Sequence, residues 1–573
     1  MAQTAGMRIF YGVVVAAGLW AGEYSPLRQV NTGNVRRLQV AWTYRTGEPL
    51  TALPGGGRAP AFEATAVYAH GLLYVSSPFG KVVALEPDSG KVRWERQIAI
   101  DRNGNYGDFT SRGVSVWKDR IFVATIDAHL VALDALTGAP SAGFVSPDLN
   151  KGLRRGPEYR GEYEQTTPPA VIGDLIITGS AIADNNRVDG PTGEVRAWDA
   201  KTGKLVWTWH PTEGKLGGAN AWSLIRVDAK RGLVFVPTGS ASPDYYGGER
   251  PGKNEWANSV VALEAKTGKF VWGFQTVHHD IWDYDVASPP ELYTVKGKAA
   301  VAVGSKTGHV FLLDRATGKP LFPVEERPVP KSDVETASAT QPFPSQPASL
   351  VPHMADPLDA ACAERMGQLR NEGVFTPPSV KGSLIVPGNI GGLHWGGLAW
   401  SPEENLLIAP VNHLPAIIRL IPRAEFAGAK GRRMEGVEMA TQRGAAYGMS
   451  RELFRAADGR PCVKPPWGSL VAVDTITGDI RWRAPLGPIN LGGPLATGGG
   501  LLFIGAALDA NFRAFDLKTG AEVWQGKLPA SARSTPMSFE HKGKQYVAIA
   551  AGGHDPALGP LDNAVVAFAL DGQ

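Results

Sequence analysis

A short apolar strand, an acidic residue, a Ser/Thr-Gly turn and an aromatic four residues past the glycine make a unit that recurs along this chain. It reads ALEPDSGKVRW ending at Trp94, AWDAKTGKLVW at Trp207, ALEAKTGKFVW at Trp272, LLDRATGKPLF at Phe322, AVDTITGDIRW at Trp482 and AFDLKTGAEVW at Trp524. ALDALTGAPSAGF, from Ala132, is the weakest copy. Each unit predicts a β-hairpin whose glycine supplies the tight turn and whose aromatic lies on one face of the second strand. One hairpin cannot bury an indole alone, so the repeat predicts sheets stacked radially, each tryptophan wedged against a neighbour. Seven copies predict seven blades. An eighth is predicted by joining AVVAFAL (Ala564 to Leu570) to RLQVAWTYRTG (Arg37 to Gly47), which removes the exposed edges. The expectation is an all-β chain, an eight-bladed β-propeller with tryptophan-docking repeats.

The turn glycines lie 42 to 65 residues apart, except for 160 between Gly318 and Gly478. That long interval reads as one blade with two excursions, Phe322 to Pro378 and Ile421 to Trp467, the first holding a short helix near DAACAERMGQLRNE. Each excursion carries one of the chain's 2 cysteines, Cys362 and Cys462, either two buried thiols or one disulfide. Residues 1–22 read as a signal segment or an N-terminal extension, and 23–573 as a single propeller domain. Ile9 to Ala21 suits a signal h-region after Arg8 and suits a first strand as well.

Composition agrees. The 69 glycines, 44 prolines and 16 tryptophans describe a turn-rich chain of short strands and disfavour a helical protein. A net charge of +3 with no basic stripe gives no footprint for nucleic acid. No CxxCH occurs, so no c-type haem is expected, and no apolar run reaches the ~18 residues of a spanning helix.

Chemistry concentrates in Thr276 to Asp285, TVHHDIWDYD, which directly follows one hairpin unit. Adjacent His278 and His279 would point to opposite sides of an extended strand and chelate one metal poorly. The stretch therefore reads as a carboxylate in a pocket, with Asp280 or Asp283 as a base. Elsewhere, Asp184 and Asn185 follow an apolar strand and offer hard oxygen ligands for Ca²⁺ or Mg²⁺, or else an Asx turn. Trp222 lies outside the repeat register and would suit either a core or the wall of a planar ligand site. Lys306 precedes a turn at the start of a strand, a place that is usually solvated.

In their order along the chain, YEQTTPPAV, the run to WDYD, GVFTPPSVKGSLIVPGNIGGLHWGG, GRPCVKPPWGSLVAVD and INLGGPLATGGGLLFIGA resemble the quinoprotein dehydrogenases that use pyrroloquinoline quinone (PQQ). EYSPLRQVNTGNVRRLQVAWTYRTG, FTSRGVSVW and GKQYVAIAAGGH extend the resemblance, which covers nearly the whole chain from about Glu23 and is nearest to the glucose, quinate and polyol branch. It implies an eight-bladed propeller, with Asp280 as the base that takes the substrate hydroxyl proton while hydride passes to the quinone. It implies Asp184 and Asn185 at a divalent ion, Ca²⁺ or Mg²⁺, and Lys306 at the quinone oxygens with a catalytic part. Trp222 would lie under the ring, and Glu63, Arg112, Thr167 and Trp395 would hold the cofactor. Thr110 and Ser111 stand where the methanol and ethanol branch has adjacent cysteines, and His394 stands where an acidic residue is often seen. Ser240 and Ser242 compete as a third metal ligand.

The same resemblance implies a small sugar, polyol or alcohol as substrate, a separate electron acceptor (a cytochrome or a membrane quinone-reactive subunit) and a periplasmic location. An oxidising compartment favours the Cys362–Cys462 disulfide. The alternative from another class is a non-catalytic eight-bladed propeller scaffold of the outer-membrane assembly type. A scaffold has no reason to combine Asp184, Asn185, Trp222, Asp280 and Lys306.

Overall fold

The computed structural model of the chain describes all residues except 1–22, 51–59, 105, 152–160, 431–435, 488, 554–557 and 572–573. The expected signal segment or N-terminal extension lies outside the described residues. Among those described, antiparallel sheets follow one another over 67–97, 115–134, 170–209, 226–275, 291–314, 399–486 and 495–527, and a last one joins 537–570 to 38–45. The first strands of successive sheets adjoin one another, as Ala170–Ile172, Arg226–Asp228, Glu291–Val295 and Ala399–Ser401 do, so the sheets radiate from an axis. The chain is a β-propeller.

Strand burial follows from that arrangement. Inner strands such as Leu72–Ser76 and Ala564–Leu570 are buried along their whole length, because both faces meet a neighbouring sheet. Outer strands bury little but their aromatic: in Val92–Gln97 only Trp94 is buried. The cores accordingly lie between sheets. One cluster joins Ile177 and Trp207 to Val236 and Val261, and the next joins Phe235 and Trp272 to Val301 and Phe311.

The tryptophan dock has a defined partner. Each indole Nε1 donates to a carbonyl in the next sheet's hairpin: Trp42 to Pro87 (2.9 Å), Trp94 to Ala135 (2.9 Å), Trp207 to Ala265 (2.8 Å), Trp272 to Arg315 (3.2 Å) and Trp482 to Leu517 (3.0 Å). Trp524 completes the ring on Leu38 (3.2 Å). The turn glycine then lies flat on the docked ring. A β-carbon built on Gly268, at φ +71°, would stand 2.6 Å from the Trp207 ring, so only glycine meets both the backbone angle and the approach. In the weakest repeat, whose sheet has three strands, Phe144 takes the indole's place beside Gly203.

The acidic residue of the repeat caps its own turn. Asp314 Oδ1 accepts from Thr317 N (2.9 Å) and Thr317 Oγ1 (2.8 Å), and Asp199 does the same with Thr202. Closure is antiparallel, from Leu38↔Leu570 to Arg45↔Ala564. Just before it in the chain, Tyr24–Ser25 joins Leu495–Thr497 in parallel, and Glu23 meets Arg226 at 2.6 Å among the innermost strands. Glu291, on an adjoining inner strand, is buried with no hydrogen-bond partner for either oxygen among the described residues.

The excursions reach further than the sequence expectation of 322–378 and 421–467. Ser383–Ile385 pairs with Ala416–Pro422, not with the blade, and Tyr447–Leu453 and Glu438–Ala440 complete a separate sheet. The apolar runs at 383–385 and 416–422 match blade strands in pattern, and only their pairing distinguishes them. The expected helix is Ala360–Gly367, capped by Asp359, which accepts from Cys362 N at 2.8 Å. Cys362 and Cys462 are joined as a disulfide, with Cα atoms 5.5 Å apart.

Candidate active site

Residues 276–285 leave the strand Phe270–Gln275 and are buried throughout, so this is no solvated turn. Positive φ at His279 (46°) and Asp283 (62°) breaks the alternation of an extended chain and turns successive side chains into different neighbourhoods. The two histidines have separate structural partners. His278 lies between Gln275 Oε1 (2.7 Å) and Glu326 Oε1 (2.9 Å), and His279 between the Gly252 carbonyl (2.8 Å) and Glu335 (3.2 Å). Trp282 and Tyr284 anchor the stretch to the first excursion, donating to the carbonyls of Thr376 (2.8 Å) and Pro387 (2.8 Å).

The three aspartates differ. Asp280, put forward from sequence as the base, meets four donors: Ser240 Oγ, Asn258 Nδ2 (3.1 Å), Trp282 N (3.1 Å) and Tyr284 N (3.0 Å). It is buried and pins the loop; burial holds its pKa above the usual range, opposed by the Ser240 hydroxyl. Asp283, the other candidate base of the stretch, touches Lys306 Nζ (2.5 Å), Arg451 Nη1 (3.0 Å) and the Tyr245 hydroxyl (3.1 Å). Burial, opposed by Lys306 and reinforced by Asp285, pushes Asp283 up to about 6. Asp285 takes Lys306 Nζ at 2.8 Å, the Trp222 indole N–H at 3.1 Å and the Ser240 backbone N–H at 2.7 Å.

Lys306 is thus buried between two carboxylates, not solvated, and they raise its pKa against the cost of burial. Its ammonium lies 5.7 Å from the centre of the Trp222 ring, and the Arg112 guanidinium lies 5.6 Å from that ring and 4.7 Å from Trp395. Trp222 is only partly buried, with His394 tilted against it at 5.5 Å. Arg112 meets Glu63 at 3.0 Å, because the strands Ala61–Thr65 and Thr110–Gly113 pair in parallel. Thr167 is half-buried one residue past Thr166, whose carbonyl accepts from Arg112 N at 2.9 Å.

Asp184 and Asn185 lie on the acidic side of this centre. Burial together with Asp283 and Asp285 pushes Asp184 up to about 7, and burial beside Asp184 pushes Asp244 well above the carboxylate range. Asn185 Nδ2 donates to Asp244 Oδ2 at 2.6 Å, while Asn185 Oδ1 and Asp244 Oδ1 are buried with no hydrogen-bond partner among the described residues. Carboxylates crowded to this degree, with orphaned oxygens beside them, fit a hard cation. Among the described residues no three His, Cys, Asp or Glu side chains form a ready-made metal cage. Ser240 Oγ is engaged by Asp280 and by Asp285 (3.0 Å), whereas Ser242 Oγ is buried without a hydrogen-bond partner among the described residues. The second excursion holds the metal-candidate loop: Gln442 N and Arg443 N donate to the carbonyls of Asn185 (3.1 Å) and Asn186 (2.8 Å).

A lysine between carboxylates, a partly exposed aromatic, a guanidinium beside it and a cation-seeking acidic pair suit a planar, polyanionic, redox-active ligand. Sequence reasoning missed Asp244, Asp285, Tyr245 and Arg451 as members of this centre. Asp244 follows Pro243 and reads as a turn, and Arg451 is 168 positions from the Asp283 it touches.

The family model "Glucose/ethanol/alcohol dehydrogenase, beta-propeller domain" (PQQ) matches residues 16–547. Quinoprotein glucose dehydrogenase A of Acinetobacter calcoaceticus is 34% identical over 627 residues, covering 96% of this chain and 77% of that protein. The glycerol dehydrogenase large subunit of Gluconobacter oxydans is 33% identical, covering 97% and 86%. Quinate/shikimate dehydrogenase (quinone) of Acinetobacter baylyi is 32% identical, covering 95% and 77%. Among solved structures, a europium-containing methanol dehydrogenase matches in fold with a TM-score of 0.73 at 22% identity, covering 96% of each chain.

Proposed function

We propose, from the premise that this chain belongs to the PQQ-dependent glucose/ethanol/alcohol dehydrogenase β-propeller family, that it oxidises a hydroxyl of a sugar, polyol or cyclic alcohol. The chain is a quinoprotein dehydrogenase of the glucose, quinate and polyol branch, which sets the scaffold reading aside. When bound, PQQ supplies the two-electron acceptor for the hydride. The observation that carries the site reading is Lys306, buried between Asp283 and Asp285 beside the Trp222 face.

In this reading Asp283, not Asp280, takes the hydroxyl proton. Asp280 already serves four donors, whereas Asp283 sits at the centre with a pKa pushed toward neutrality, which suits a general base. Lys306 orients Asp283 and Asp285 and presents positive charge to the quinone oxygens. Trp222 offers the ring face, Arg112 with Glu63 faces the carboxylate edge, and Thr167 and Trp395 border it. Asp184 and Asn185, with Asp244 beside them, would hold Ca²⁺ or Mg²⁺.

With no CxxCH in residues 1–573, electrons leave in this reading to a separate acceptor, a cytochrome or a membrane quinone-reactive subunit. The Cys362–Cys462 disulfide supports work outside a reducing cytoplasm, in the periplasm. The test is purified protein reconstituted with PQQ and Ca²⁺ or Mg²⁺, offered glucose, glycerol, quinate and simple alcohols with an artificial dye acceptor. Dye reduction by at least one of them, dependent on both PQQ and metal, is expected. No PQQ-dependent turnover on the whole panel would overturn the reading.

A further inference from the structure

Glu63 raises a difficulty that Arg112 alone does not resolve. A carboxylate at the edge where a polyanionic ligand must dock repels that ligand, and Glu63 is wholly buried. Arg112 cannot neutralise it outright, because Arg112 also meets Asp108 at 2.9 Å. Burial holds the Glu63 pKa up, opposed by Arg533 and then Arg112. A second cation is therefore present: Arg533 Nη2 lies 2.7 Å from Glu63 Oε1, on the carboxylate oxygen that Arg112 leaves free, and its side chain is 11% exposed.

Arg533 is held in place by its backbone. Its loop joins the strands Glu522–Lys527 and Met537–His541, and the neighbouring Ser534 bonds Ala550 in both directions, Oγ to O at 2.9 Å and N to Oγ at 3.1 Å. Glycines allow this loop to approach the stretch that carries Trp395. A β-carbon on Gly493 would meet Thr535 Oγ1 at 2.2 Å and the Gly396 carbonyl at 2.5 Å. Two guanidinium groups thereby converge on one carboxylate beside the Trp222 site. Arg112 Nη1 and Arg533 Nε are buried without a hydrogen-bond partner among the described residues. Such donors call for an acceptor.

We propose that Arg533 is a second cofactor-anchoring residue: it neutralises Glu63 and offers its remaining N–H to a carboxylate of the bound quinone. The proposal rests on the PQQ reading above and adds a residue to it. Pairing Glu63 with Arg533 removes the repulsion that its carboxylate would exert on the ligand, and a planar guanidinium suits carboxylate geometry.

Binding, not turnover, tests it. Apo wild type, Arg533→Met and Arg533→Lys are titrated with PQQ and with PQQ trimethyl ester in the presence of Ca²⁺, read by quenching of tryptophan fluorescence. Arg533→Met is expected to weaken PQQ binding about 10- to 100-fold, the range of a lost charged hydrogen bond, and ester binding less than about 3-fold. Arg533→Lys keeps the charge without the fork, and its loss for PQQ is expected to fall between wild type and Arg533→Met. Unchanged PQQ affinity in both variants overturns the proposal, as does an equal loss for PQQ and ester, which marks a structural role. If Arg533→Met does not fold, the PQQ-to-ester ratio in Arg533→Lys decides alone. Wild type that binds neither ligand overturns the PQQ reading itself, a distinct failure.

Discussion

Replacing Asp283 and Asp280 by asparagine should have unequal effects on turnover. At Asp283 the amide keeps the size and one acceptor; its NH₂ must face either Lys306 or Arg451 with Tyr245, although Lys306 retains Asp285 at 2.8 Å and Arg451 retains Glu438 at 2.8 Å. What disappears is the ability to take a proton, and general-base loss costs about 10²–10⁴ in rate, or about 2.7–5.5 kcal/mol of barrier. Asp280→Asn acts on the loop. Its Oδ2 faces Ser240, Asn258 and Tyr284 N, and its Oδ1 faces Trp282 N, so the new NH₂ must oppose at least one buried donor. One unsatisfied buried donor costs about 1–3 kcal/mol of stability. The assay is turnover per PQQ-loaded molecule, with loading read from the quinone's absorbance, beside urea unfolding of both variants. Asp283→Asn, compared as folded and loaded protein, should be at least about 100-fold slower. Asp280→Asn should unfold earlier than wild type and stay within about tenfold of it in turnover when folded, below the general-base range. A loaded Asp280→Asn without activity beside a working Asp283→Asn would refute that assignment and return the base to Asp280.

Four further outcomes are expected. Gly268→Ala places a methyl against the Trp207 ring in a left-handed backbone conformation and should cost about 2–5 kcal/mol in urea unfolding, whereas Gly297→Ala, open around its β-carbon but equally left-handed, should cost only the backbone share of about 1–2 kcal/mol. Asp184→Ala should keep the fold by circular dichroism, yet recover no activity when Ca²⁺ or Mg²⁺ is returned after chelation. Thiol titration of denatured, unreduced protein should find none free, and removing the bond across 100 residues should cost at most about 4–5 kcal/mol. Burial, opposed by Arg226 and reinforced by Glu23, pushes Glu291 up to about 8, so the folded state holds a proton that the unfolded state releases near 4.5. Stability should therefore fall as pH rises between about 4.5 and 8, by at most about 5 kcal/mol, and Glu291→Gln should flatten that slope in urea titrations at each pH.

The propeller was legible in sequence because its rule is local: a capped turn, a glycine and an indole within one hairpin, repeated. What the repeat left out is which atom receives each indole N–H, since that partner belongs to the next sheet. The site was legible residue by residue, and Lys306, Trp222, Asp184, Asn185, Glu63, Arg112 and Trp395 do come together. The surroundings of the aspartates were not, because the extended alternation read for His278 and His279 fails at His279 and Asp283, whose φ values are positive. Arg451 and Arg533 were missed for a plainer reason. Arg451 meets Asp283 across 168 positions and Arg533 meets Glu63 from farther still, and nothing near either in sequence announces that partner.

Closure of the ring has a temporal side. Arg37 and Asp571 meet across 534 positions, so the strand Leu38–Arg45 has no hydrogen-bonding neighbour in its sheet until Ala564–Leu570 has been made. At ~5–20 residues per second that wait is roughly half a minute to two minutes. Through it, one early edge and the growing opposite edge stay open to strands of other chains. The molecule is therefore most vulnerable to aggregation during its own synthesis, and a chaperone that covers residues 38–45 at that stage would protect it more than any stabilising change to the finished ring.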